Sequence, residues 1–155
     1  MQGISSNLSR VKACLKKAGH EKTRAENLMK IWDWNGSVEA SQCSIRHSVE
    51  SLFWLVGEEY DSSGLAAKFD VVIGKLLEMY NFGLYYRDKL LRMRWIVNVW
   101  ANIREDSIYA YEQDAKVLKD YADEVYGICS HIVSLVKSYA DRMAIDSYLG
   151  DDGLP

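Results

Sequence analysis

The chain's one proline, Pro155, is its last residue. A proline inside a helix removes a backbone hydrogen bond and clashes with the preceding turn, so its absence leaves everything before it free to run as long helices. The same absence withholds the stiff turns on which all-β folds depend. With β-branched runs also scarce, the expected class is all-α. A chain of 155 residues is long enough to bury one sizeable core. The expected architecture is a single-domain bundle of about five helices over residues 1–150, with a flexible tail at 151–155.

Apolar residues recur at helical spacing in five segments. The first, about 5–32, repeats Leu8, Val11, Leu15, Ala18, Ala25, Met29 and Trp32. Gly19-His20 weakens its middle. A turn at 33–37 follows, with Gly36 reversing the chain and Ser37 as N-cap. The second helix, about 38–60, buries Ile45, Val49, Leu52 and Val56. The third, about 65–80, is apolar nearly all round and is expected at the centre. The fourth, about 84–104, is either separate from it or joined to it by a kink at 81–83. It carries one apolar stripe of Phe82, Tyr86, Leu90, Met93, Val97 and Trp100, and a second of Leu84, Leu91 and Trp95. Arg87 and Arg94 lie between the stripes, Asp88 is spaced to pair with Arg92, and both stripes are expected in the core.

The last helix, about 107–148 and capped by Asp106 or Ser107, has the most regular pattern. From Ile108, Tyr111, Ala115, Leu118, Ala122, Val125, Cys129, Ile132, Val136, Tyr139 and Met143 alternate at spacings of three and four, a heptad seam. Gly127 falls opposite it. Ile128, Val133 and Leu135 widen the apolar face late in the helix, whereas Glu112, Asp114 and Lys119 flank it early. The early part is therefore expected as a narrow seam, either covered within the chain by the first or second helix or left half exposed, and in the second case Tyr111, Ala115, Leu118, Ala122, Glu112 and Lys119 are the candidate partner-binding residues.

The net charge of −3 conceals an alternation. Residues 1–30 carry seven Lys/Arg against two acids, and residues 81–104 five against one. Residues 31–80 carry three against eight, and 105–155 four against eleven. Helices adjacent in sequence tend to pack together, so opposite charges are expected to meet within the chain. On the first helix, Lys12, Lys16, Lys17, His20 and Arg24 fall on the side away from the apolar stripe. They form a candidate face for phosphates or for an acidic protein. It lacks aromatics for base stacking, so a nucleic acid would be held by its backbone, with two copies aligning their basic helices.

Chemistry-bearing motifs are missing. There is no glycine-rich phosphate loop, nucleophile elbow, HExxH or metal-spaced Cys/His cluster, and His20, His47 and His131 sit away from their helices' apolar stripes. No enzyme, cofactor or metal site is expected. Cys14, Cys43 and Cys129 are too sparse for a disulfide framework, the N-terminus lacks an apolar signal core, and Lys68, Asp70, Lys75 and Glu78 interrupt the most apolar stretch. A cytoplasmic protein with no membrane contact follows as the expectation. The function expected is a non-enzymatic protein–protein interaction module: an adaptor, inhibitor, immunity-type or assembly protein, or a homodimer. The alternative is a nucleic-acid binder using the first helix.

Overall fold

The computed structural model describes residues 4–61, 63–80, 83–101 and 110–151, with side chains over 7–61, 63–80, 83–99 and 110–138. Five α-helices follow in order: α1 Ile4–Lys30, α2 Trp34–Val56, α3 Leu65–Met79, α4 Gly83–Ile96 and α5 Glu112–Asp151. A π-helical turn, Val97–Ala101, ends α4. No strand occurs among the described residues, and no helix there is long and apolar enough to cross a membrane. The proposed cap at Asp106 or Ser107, Phe82, the side chains of Trp100, Tyr139 and Met143, and the end of the tail lie outside what is described.

The turn between α1 and α2 is tighter than the sequence reading. Asp33, not Ser37, is the N-cap of α2, and its Oδ1 accepts from the Gly36 backbone N–H at 2.9 Å. Gly36 is inside the helix; a Cβ there would stand 2.5 Å from Asp33 Oδ2, so the capping carboxylate occupies the space a side chain would need. Chain reversal falls instead on Trp32, at φ 63°. α1 runs unbroken through Gly19.

The central helix is α2, not α3. It buries residues on most of its circumference, from Ser37 and Ala40 through Ile45, Val49, Leu52 and Leu55. The reason is a row that hydropathy reads as polar. Ser37, Ser41, Ser44, Ser48 and Ser51 repeat at spacings of four and three, and all are fully buried. Two of them reach the backbone of α1 beside its small residues, so the two helices approach closely: Ser37 Oγ donates to the Ala25 carbonyl at 2.9 Å and Ser44 Oγ to the Ala18 carbonyl at 2.8 Å. α1 and α2 share the most extensive contact in the molecule, and α5 packs against both. α3 and α4 lie against this three-helix body, with Val71 and Met79 of α3 about half exposed.

The α5 seam is closed inside the chain. Ala115, Leu118, Ala122, Val125, Cys129, Ile132 and Val136 are buried. Ile128 and Val133 widen the buried face as expected, but Leu135 is exposed. α5 starts with Tyr111, whose N–H donates to Asp114 Oδ2 at 3.2 Å. The Asn35 side chain ties this end to α2 by accepting from the Ala110 N–H at 2.7 Å.

Candidate functional site

α4 buries only one of its two apolar stripes. Leu90, Met93, Ile96 and Val97 are fully buried, and Tyr86 packs partly against them. At 100° per residue, Leu84, Leu91 and Trp95 fall on the opposite side. They stand in solvent at 75%, 38% and 48% exposure, with Tyr85 and Val99 also exposed nearby. The expectation that both stripes join the core is therefore corrected. α3 and α5 flank α4 without covering it, because each meets it through side chains at its margins.

On the α3 side, Arg94 Nε lies 3.6 Å from Asp70 Oδ1, with both side chains about half exposed. On the α5 side, the Arg92 guanidinium holds both Glu124 oxygens, the second at 3.1 Å, and the pairing raises the Arg92 pKa. Arg92 is thereby taken from Asp88, its expected partner. Trp95 leans its edge on Tyr121, ring centroids 5.8 Å apart. Arg87 and Asp88, both exposed, make no ion pair among the described residues. The outer face of α4 is thus three large apolar side chains, with Arg87 and Arg94 along the α3-side edge and, along the α5-side edge, Arg92 and the carboxylate of Asp88, which has no ion pair among the described residues.

Between α4 and α5 runs an open groove of about 400 Å³, lined by Tyr85, Tyr86, Lys89, Asp123, Glu124 and His131 among others. The Lys89 ammonium lies 5.5 Å over the Tyr85 ring. Both carboxylates are already engaged: Glu124 by Arg92, and Asp123 by Lys119 at 2.7 Å and Lys22 at 3.8 Å.

The residues singled out from the sequence scatter. Of the α5 set, Ala115, Leu118 and Ala122 are buried in the chain and unavailable as a surface. Tyr111 is 72% exposed, Glu112 pairs with Lys116 at 2.9 Å, and Lys119 serves Asp123. The α1 set stays together. Lys12, Lys16, Lys17, His20 and Arg24 are all exposed, and Arg24 bridges to Glu21 at 3.0 Å. The expected α4–α5 charge pairing is present as Arg92–Glu124, and α1 reaches acidic α5 through Lys22–Asp123.

No three His, Cys, Asp or Glu side chains among the described residues are grouped to hold a metal ion. His47 Nδ1 lies 3.4 Å from Glu50. Burial, and after it the Glu50 charge, pushes the Cys14 thiol up to about 11, away from nucleophilicity. Burial also raises the Cys129 thiol. Half-buried Cys43 lies 3.4 Å from Arg46 Nη2. No family model, curated protein or solved structure matches the chain.

Proposed function

We propose that this chain is a non-enzymatic protein-interaction module that docks a partner on the outer face of α4. One observation supports the reading: Leu84, Leu91 and Trp95 are left in solvent on the side of α4 opposite its buried stripe. A surface helix ordinarily turns polar residues outward, and a second apolar stripe asks for a second surface. The composition suits docking, since tryptophan, tyrosine and arginine supply most binding hot spots. A photoreactive benzoylphenylalanine at Leu84, irradiated in the cells that make the protein, should give covalent protein adducts. The same group at Lys137, exposed on α5, should give few. Equal yields at both positions, or none at Leu84, would rule the α4 surface out.

The exposed cations of α1 favour a second reading, binding of nucleic acid through phosphate contacts. Exchanging Lys12, Lys16 and Arg24 for glutamate should then abolish retention on nucleic acid, and the retention should weaken steeply with salt. Retention unchanged by the exchange excludes it.

A further inference from the structure

We infer that the groove between α4 and α5 binds a small aromatic anion, a flat ring carrying a phosphate or a carboxylate. This site is separate from the docking face of α4 and does not depend on it. Trp95 against Tyr121 and Arg92 against Glu124 run α4 antiparallel to α5. Continued past Arg92, that register brings Lys89 level with Gly127 and Tyr85 level with His131. There the helices part around about 400 Å³. Small-molecule sites run from roughly 300 to 1,000 Å³, so the groove has room for one ring and its charged group.

Charge selects an anion. The two carboxylates of the groove are committed within the chain, Glu124 to Arg92 and Asp123 to Lys119 and Lys22. Lys89 and His131 also line it, and neither makes an ion pair among the described residues. The Lys89 ammonium rests on the Tyr85 ring at 5.5 Å, and an anion would give it a charge-assisted hydrogen bond. Ser130 adds a hydroxyl to the same lining.

Gly127 selects a flat ring. It lies in the interior of α5, where glycine weakens a helix relative to alanine. Packing does not call for it, because a Cβ there would meet no atom within 4 Å. The bare backbone lets a ring approach α5 closely. Tyr85 and Tyr86, set edge to face with centroids 5.1 Å apart, supply the aromatic wall across from it.

Amide NMR titrations of the full chain test the site with two aromatic anions, adenosine monophosphate and 2-naphthoate. At least one should give saturable shifts at Lys89, Gly127 and His131, with Kd about 0.1–1 mM, and the tighter of the two separates a nucleotide from an aromatic acid as the ligand. Adenosine, the ring without the charge, and inorganic phosphate, the charge without the ring, should each bind at least about tenfold more weakly. Lys89→Glu should weaken binding by about tenfold or more, and Gly127→Leu, which fills the open space, should abolish it while leaving the amide spectrum of α1 and α2 unchanged. Lys89→Glu carries the test by itself if Gly127→Leu does not fold. The inference is overturned if neither anion gives saturable shifts up to about 10 mM, or if the shifts fall on the Lys12, Lys16 and Lys17 face instead. It is equally overturned if adenosine or phosphate alone binds as tightly, if tryptamine, an aromatic cation, binds as tightly, or if Lys89→Glu leaves the affinity unchanged.

Discussion

Two residues that close helices show how much a single side chain decides. α1 and α2 end with the same pair of bonds: Asp33 N–H to the Leu28 carbonyl with Trp32 N–H to Met29, and Glu58 N–H to Phe53 with Gly57 N–H to Trp54. Both place one residue in left-handed backbone, and at α2 it is Gly57, φ 76°. At α1 it is Trp32, 78% exposed, where a Cβ crowds the following carbonyl. Trp32→Gly should therefore raise stability by about 0.5–1 kcal/mol in urea unfolding, while Gly57→Ala should lower it by about 1 kcal/mol. Loss of stability in Trp32→Gly would mean that the indole contributes more than its exposure implies. The cysteines differ as sharply. In the folded chain a thiol reagent at pH 8 should modify Cys43 alone, and all three cysteines in denaturant, by mass spectrometry. The protonated Cys14 thiol carries stability that is complete below its ordinary value of 9.0 and is lost as pH rises through about 11. Alkaline unfolding should reflect this as a midpoint shifted upward in Cys14→Ala.

At the scale of the element, the α1–α2 pair rests on small residues and hydroxyls. Ser37 and Ser44 donate to carbonyls of α1, whereas Ser41 and Ser48 bury hydroxyls that find no partner among the described residues. A buried hydroxyl with a partner contributes about 1 kcal/mol, and one without a partner costs its desolvation. Ser37→Ala and Ser44→Ala should each destabilise by about 0.5–1.5 kcal/mol. Ser41→Ala and Ser48→Ala should be neutral or stabilising, measured in the same denaturant titrations. Equal losses at all four positions would place the contribution in packing instead of hydrogen bonding. The four-three spacing of these serines was visible in the chain, but a scale that ranks serine as polar assigns it to the wet face. The α5 heptad pattern left two readings open, a half-exposed seam or one covered by the first or second helix, and the second is what the fold shows over Ala115, Leu118 and Ala122, where α1 and α2 both pack against α5.

For the whole molecule, the three-helix body of α1, α2 and α5 carries the close packing, and α3 and α4 are held to it by fewer contacts. Hydrogen exchange should show α4 amides opening at lower free energy than those of α2 and the centre of α5. Equal protection would mean that α4 folds as one unit with the body. The sequence alone determined the helical class, the number of helices and the late wide face of α5, because those follow from periodicity and from the absence of internal proline. It also placed Leu84, Leu91 and Trp95 on one stripe and Lys12, Lys16, Lys17, His20 and Arg24 on one side of α1. Only the tertiary structure decided which stripes were covered. Burial depends on what packs across each face: α2 lies at the centre, in close contact with α1 through small residues, and the outer side of α4 meets no neighbour among the described residues.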